Sequence, residues 1–249
     1  MQLSKRLQAV ADSVTRDNRV ADVGCDHAYI SIYLIQQHIA PHVIAMDINK
    51  GPLERGRKNI ERLGLSSHIE TRLSDGLHEL NPGEADTILI AGMGGALTVR
   101  ILEEGLTTVK KCKELVLGPQ SELFLVRKFL ERIDFVIITE QMLIDDGKYY
   151  TIMKAIPKVT GSVANEKTTL LSEDVVSTNY SNQELFYRYG KLLLRQRDPI
   201  AQEFLLKEKS QRLQVVEELK QNHTENAMIR LREVQEELGY IEEGLAYYK

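Results

Sequence analysis

The sequence predicts an α/β fold: an open, mostly parallel sheet of seven strands covered on both faces by helices, with a helical tail behind it. Three observations carry this. Short apolar runs alternate with amphipathic segments through residues 1–157, the pattern of a parallel sheet built from strand–helix–strand units. The last two of these runs are joined directly by Asp145-Asp146-Gly147-Lys148, a hairpin turn, so one strand there is antiparallel. Beyond residue 199 the apolar residues recur every three or four positions, which is helical spacing.

The elements follow in order. Leu3–Val14 is a short amphipathic helix, with Leu3, Leu7, Val10, Ala11 and Val14 on one face. Arg19–Gly24 is the first strand and ends in glycine. Ala28–His38 is a helix, and His42–Asp47 is the second strand. Gly51–Leu63 is a basic amphipathic helix that Gly64 terminates. Ile69–Leu73, Asp86–Ala91 and Glu114–Leu117 are the third, fourth and fifth strands. Glu122–Arg132 is helical, and Phe135–Ile144 and Tyr149–Ile156 complete the sheet. Seven strands with a hairpin finish are the order expected of a methyltransferase-type Rossmann sheet.

After Pro157 the composition changes. Lys158–Asn182 is rich in Ser, Thr and Asn and reads as a linker, which divides the chain into 1–157 and 158–249. Gln183–Arg197 reads as a helix that Pro199 interrupts. Ala227, Leu231, Val234, Leu238, Ile241 and Leu245 form a heptad seam, with a weaker one at Leu206, Leu213 and Val216. The Asn222-His223-Thr224 break between them predicts an antiparallel coiled-coil hairpin within one chain, and hence a monomer rather than a dimer.

Composition sets further bounds. The 249 residues are 43% apolar, enough for a sizeable core. Net charge is −4, with 32 basic and 36 acidic residues, which excludes a uniformly basic nucleic-acid binder. Residues 1–157 hold 19 basic and 21 acidic side chains and 158–249 hold 13 and 15, so neither half is a basic module. The two cysteines, Cys25 and Cys112, come without a secretion signal and point to a reduced, cytoplasmic protein. No metal-ligand spacing and no membrane span is legible.

In an open parallel sheet a ligand lies at the carboxyl ends of the strands, near the switch in strand order. The first strand ends in Asp22-Val23-Gly24-Cys25-Asp26-His27. Only Gly24 stands in the G-x-G-x-x-G frame of a dinucleotide site, which disfavours a nicotinamide-dependent oxidoreductase. The same loop does not disfavour S-adenosylmethionine, which carries no phosphate and needs backbone approach and a carboxylate instead. Asp22 can accept from its ammonium, and Asp47, at the end of the second strand, can take ribose hydroxyls. Asp75 can accept from an adenine amino group. Cys25, Ile48 and Gly76 flank these acids. After the fourth strand, Ala91-Gly92-Met93-Gly94-Gly95 allows close backbone approach with Met93 as an adaptable apolar wall.

These residues resemble a known family, the bacterial TrmK-type tRNA (adenine-22-N1)-methyltransferases. The likeness runs nearly the whole chain. It includes Leu3-Ser4-Lys5-Arg6-Leu7, Asp26-His27-Ala28-Tyr29, Gly51-Pro52, Asp75-Gly76-Leu77 and Ala91-Gly92-Met93-Gly94-Gly95. It continues through Asp146-Gly147-Lys148-Tyr149-Tyr150 and Leu206-Lys207-Glu208-Lys209-Ser210. The resemblance implies a class I methyltransferase fold, S-adenosylmethionine as donor and a tRNA adenine as acceptor. Two departures stand out: Gly118-Pro119-Gln120 where the family usually has Gln-Pro-Asn, and Asp47 where it often has Glu.

For methyl transfer to N1 of adenine the nucleophile is a free ring lone pair, so catalysis is positioning and electrostatics. N1 faces the pairing partner in a duplex, so the base must be unpaired or flipped. Asp26 is the candidate for stabilising the charge left on the ring, with His27 and Tyr29 in support and Gln120 for the adenine edge. Candidate RNA contacts are Lys5 and Arg6, the basic helix residues Arg55, Arg57, Lys58 and Arg62, and the glycines Gly94 and Gly95. Lys50, Arg16 and Arg19, and in the tail Arg188, Lys191, Arg195 and Arg197, add positive charge. The alternatives are a non-catalytic binder of S-adenosylmethionine or tRNA, and a methyltransferase for another base or a small molecule.

Overall fold

The computed structural model describes residues 3–158, 180–222 and 224–249. Most of the expected linker, 158–182, and His223 of the expected break lie outside the described residues. The chain divides between residues 173 and 174 into two compact units.

The first unit is a seven-stranded sheet. In chain order its elements are α1 (Lys5–Asp12), β1 (Val20–Val23), α2 (Tyr29–Gln36), β2 (Val43–Asp47), α3 (Lys50–Arg62), β3 (Ile69–Leu73), β4 (Thr87–Ala91) and α4 (Gly95–Glu104). There follow α5 (Leu106–Val109), β5 (Glu114–Gly118), α6 (Leu123–Arg132), β6 (Phe135–Asp145) and β7 (Lys148–Pro157). The strand order is β3-β2-β1-β4-β5-β7-β6. Every pairing is parallel except those of β7, which runs antiparallel to β5 and β6. This is the class I methyltransferase Rossmann arrangement that the strand pattern predicts.

The central strands are apolar throughout because both faces are covered. Ala21, Val23, Ile44, Met46, Ile88, Ile90, Leu115 and Leu117 share one core with Ile101 and Leu102 of α4 and with Val126, Phe129 and Leu130 of α6. Val20, Val43, Ala45, Leu89 and Val116 share the opposite core with residues of α1, α2 and α3. The alternation along each strand sends neighbours to opposite faces.

Local sequence explains the punctuation. Gly64 sits at φ +69 after α3. Its N–H donates to the Glu61 carbonyl and the Leu65 N–H to that of Ile60, at 3.0 Å each, the paired closure that needs a left-handed residue. Asp146 and Gly147 both have positive φ between β6 and β7, the two-residue turn matched to strand twist. α4 has no counterpart among the sequence-predicted elements. Its N-cap is Gly94, which offers no side-chain bond, so the usual start signal is missing.

The β6–β7 hairpin has strands of 11 and 10 residues. β7 pairs with β5 only from Ala155 back to Met153, opposite Leu115 to Leu117. Its Lys148 end therefore continues past the carboxyl end of β5. α1 packs against this arm. The Arg6 N–H donates to Asp145 Oδ2 (3.1 Å), and beyond the helix Thr15 Oγ1 donates to Glu114 Oε2 (2.5 Å).

The second unit contains α7 (Tyr180–Tyr189), α8 (Lys191–Arg195), α9 (Pro199–Lys220) and α10 (Glu225–Ala246). α9 and α10 pack together, tied by Arg212 to Glu237 (2.5 Å) and Lys209 to Glu242 (2.8 Å). The seam on α10 falls where its spacing predicts: Ala227, Val234 and Ile241 are buried, and Leu231, Leu238 and Leu245 are half-buried.

Three expectations are corrected here. Gln183–Arg197 is not one helix: Gly190, at φ +84, breaks it. Pro199 opens α9 at its first turn rather than interrupting a helix, and Asp198 caps it by accepting from the Ile200 and Ala201 N–H groups, both at 2.9 Å. The buried stripe of α9 is Ala201, Leu205 and Val216, whereas Leu206 and Leu213 are 52% and 47% exposed. The expected seam was right at Val216 and one residue out of register at Leu206.

These neighbours give a sharp test. Leu205→Ala is expected to cost about 2–5 kcal/mol and Leu206→Ala less than about 0.5 kcal/mol, measured by denaturant unfolding followed by helical circular dichroism.

Candidate functional site

β1 lies between β2 and β4, so the chain leaves its carboxyl end toward one side of the sheet and later returns on the other. The crevice at that switch is a cavity of about 450 Å³. Gly24, at φ +75, turns the chain there, and its N–H and that of Cys25 both donate to the Met46 carbonyl (2.8 and 2.9 Å). A Cβ on Gly24 would overlap the Met93 methyl group. Gly92, at φ +85, makes the matching turn after β4.

The carboxylates stand in different environments. Asp22 is buried and accepts from Ser31 Oγ (2.6 Å). Burial pushes its carboxyl up to about 6, against the opposing Ser31 bonds. Asp47 ties two turns together: its Oδ1 accepts from the Asn49 N–H (2.8 Å) and its Oδ2 from the Asp26 N–H (3.3 Å). Asp75 is exposed in the lining of the cavity. Burial, then the charges of Asp22, Asp47 and Asp26, push the Cys25 thiol far above its ordinary value, so this cysteine is an apolar wall and not a nucleophile.

The loop before α2 is strained. Asp26 and Ala28 both have positive φ (37 and 59), uncommon for residues with a Cβ. α3 approaches this loop at Gly56, where an added Cβ would come within 3.2 Å of the Ala28 Cβ. The result presents three side chains together. The His27 and Tyr29 rings stack at 5.3 Å and 17°, and His27 Nε2 lies 3.5 Å from Asp26 Oδ1. Gln120, whose N–H donates to the Met93 carbonyl (2.8 Å), joins the lining from the loop after β5.

Asp22, Asp26, Asp47 and Asp75 meet only two cations in the lining, Arg6 and Arg100. An acidic cavity with backbone turns at its floor suits a cationic ligand rich in hydroxyl and amino groups. No group of three or more His, Cys, Asp or Glu among the described residues can hold a metal ion. No helix among them is long and apolar enough to cross a membrane.

Comparison with known proteins agrees with this geometry. Residues 3–153 match the family described as "Methyltransferase domain". A Bacillus subtilis protein named tRNA (adenine(22)-N(1))-methyltransferase is 41% identical over 155 residues, 62% of this chain. The chain aligns with 65% of that relative's length. The crystal structure of the B. subtilis M1A22 tRNA methyltransferase TrmK superposes with a TM-score of 0.83 at 31% identity, covering 98% of this chain and 99% of that one. The chain belongs to the TrmK family of methyltransferases. Another similar structure is Streptococcus pneumoniae Sp1610, a putative tRNA (m1A22) methyltransferase in complex with S-adenosyl-L-methionine (TM-score 0.79, 28% identity, 98% of this chain and 100% of that one).

Of the residues expected in this TrmK-family site, the cavity gathers Asp22, Gly24, Cys25, Asp47, Ile48, Asp75, Gly76, Ala91, Gly92 and Met93, with Asp26, Tyr29, Gln120 and Arg6. His27 lies outside the lining and meets it through its stack on Tyr29 and its contact with Asp26. Gly95 is buried where a Cβ would press on the Ser121 and Glu122 carbonyls, at 2.6 and 2.5 Å, and so serves close packing. Gly94 lies beside Ser121. Lys5, Arg55, Arg57, Lys58 and Arg62 lie outside the lining. Arg57 is engaged by Glu54 (2.9 Å) and Thr71 (3.1 Å), and Arg62 donates to Asn59 (3.4 Å).

Sequence reasoning did not place Leu7, Asn49, Ser74, Leu97, Arg100 or Ile101 in the site. Arg100 and Ile101 follow the glycine run at helical spacing on α4, so recognising α4 would have found them.

The raised Asp22 carboxyl has a stability consequence. Its folded value lies above the unfolded one, so the penalty is absent at low pH and complete above about 6. Asp22→Asn is therefore expected to raise the thermal midpoint more at pH 8 than at pH 5, read by calorimetry without ligand.

Proposed function

We propose that this protein transfers a methyl group from S-adenosylmethionine to N1 of an adenine in tRNA, the adenine at position 22. The observation that carries the reading is the convergence of Asp22, Asp47 and Asp75, from three successive strand ends, on one cavity floored by the Gly24 and Gly92 turns. That donor set fits the ammonium, ribose and adenine of S-adenosylmethionine. The Gly24 turn gives it a backbone cradle that a side chain would fill. The name of the B. subtilis relative and the ligand of the S. pneumoniae structure support the same reading.

When bound, S-adenosylmethionine supplies an electrophilic methyl group on a sulfonium. The chain's own residues do the rest. Asp22 neutralises the ammonium, Asp47 accepts from ribose hydroxyls and Asp75 from the adenine amino group. Asp26 faces the positive charge that methylation leaves on the target ring, and stabilises it more as the charge develops. Tyr29, backed by His27, offers a stacking surface to a flipped base. Gln120 can accept from the target's amino group and donate to a ring nitrogen. In this reading residues 1–157 carry the chemistry in the cytoplasm, and the C-terminal helices of a monomeric protein help to hold the tRNA.

The decisive experiment incubates the protein with labelled S-adenosylmethionine and tRNA lacking the modification, then maps the product by mass spectrometry. N1-methyladenine at position 22 is the expected result, and no incorporation overturns the proposal. Asp26→Ala is expected to lower kcat on the order of 100-fold with donor affinity largely kept, as single-turnover kinetics and calorimetry would report.

A second prediction concerns pH. The ligand's ammonium favours ionised Asp22, so a proton competes with it below the free carboxyl's value of about 6. Donor affinity is expected to hold from pH 8 to 7. It then weakens below pH 6, approaching about tenfold per unit, and Asp22→Asn removes that dependence.

A further inference from the structure

Neither cation of the cavity, Arg6 or Arg100, has a task in the scheme above. Arg6 is seated from two directions. Its backbone N–H donates to Asp145 Oδ2 (3.1 Å), and its guanidinium carbon lies 5.0 Å from the centroid of the Tyr150 ring. Both partners belong to the arm of the β6–β7 hairpin that continues past the carboxyl end of β5. Arg6 Nη1 comes within 3.6 Å of the point a Cβ on Gly92 would occupy, and Gln120 Nε2 lies 4.0 Å from the same point. Guanidinium and carboxamide thus converge over one glycine, with no side chain between them and the backbone.

The lining holds four aspartates, yet none of the described carboxylates forms an ion pair with the Arg6 side chain. Its five donors are available to a ligand. That ligand is not the target ring, because N1-methylation makes the ring cationic and a guanidinium against it would oppose the reaction. A phosphate has the opposite charge and matches the planar fork. The Tyr150 ring, 5.0 Å from the guanidinium carbon, holds that fork in place beforehand by cation–π attraction.

Accepting the tRNA reading, we propose that Arg6, seated on Tyr150, grips the backbone phosphate of the target nucleotide and so holds the flipped adenosine over Gly92 beside Gln120. Arg6 is a positioning residue for the acceptor. It is distinct from a general basic patch, since Asp145 holds its backbone N–H and Tyr150 its guanidinium, both from the far end of the catalytic unit.

The test compares Arg6→Ala, Arg6→Lys, Tyr150→Phe and Tyr150→Ala in the full-length protein. Arg6→Ala is expected to raise KM and Kd for tRNA about tenfold, with kcat changed far less and S-adenosylmethionine affinity by calorimetry unchanged. The slope of log Kd against log salt should shrink by about one. Arg6→Lys, which keeps charge without the planar fork, should fall between. Tyr150→Phe keeps the seat and should behave as the parent, and Tyr150→Ala should move toward Arg6→Ala. A fall in kcat with KM and salt slope unchanged overturns the proposal in favour of contact with the ring. Loss of donor affinity overturns it in favour of a cofactor role. If the unaltered protein methylates no tRNA, the reaction itself is refuted, and the salt slopes still decide whether Arg6 meets a phosphate.

Discussion

The position of β1 governs the rest of the molecule. Its two neighbours are β2 and β4, reached by connections that leave in opposite directions, and no helix can cover the gap this opens at the strand ends. Whatever fills the gap meets backbone first, which is why Gly24 and Gly92 stand there with positive φ. The carboxylates are a consequence of the same geometry. Asp22 lies within β1 one residue before its end, and Asp47 ends β2. Asp75 follows two residues after β3. The parallel sheet aligns them on one edge.

Buried acids elsewhere in the unit show what an acid with a purely structural task looks like. Glu114 accepts from the Thr15 N–H and Oγ1, from Thr87 Oγ1 and from Lys154 Nζ. Burial alone would raise its carboxyl, yet these donors hold it below the ordinary value. Glu140 lies 2.7 Å from Arg127 with both side chains almost fully covered. Asp22 is as deeply placed, but its side-chain donor is the single hydroxyl of Ser31, and its value moves the other way. A buried acid left short of donors destabilises the free protein, and a cationic ligand offsets that deficit.

The parts of this architecture that the sequence made legible share a physical cause. Strands buried on both faces leave short apolar runs such as Val43–Met46 and Ile88–Ile90. The Asp146-Gly147 turn is equally readable, because few residue pairs accept two positive φ values. Strand-end acids were found for the same reason, as they interrupt apolar runs at fixed places. What escaped was structure without a local signal. α4 starts at a bare glycine cap, and with it Leu97 and Arg100 were lost from the site. Leu205 and Leu206 are adjacent and chemically identical, so only packing with Leu185, Leu194 and Ile241 distinguishes the buried one. The seat of Arg6 depends on Tyr150, a pairing across most of the unit that no periodicity records.

That long separation has a bearing on how the protein is made. Within this unit α1 is made before the sheet, but Asp145 and Tyr150, which hold its Arg6, belong to the hairpin that is made last among the strands. Until then the first helix packs only against its earlier neighbours, α2 among them, and closing so long a loop is slow. A chain interrupted before the final hairpin already contains every carboxylate of the cavity and lacks the support for its arginine. Arrival of the last two strands thus supplies Tyr150, the ring on which the Arg6 guanidinium rests.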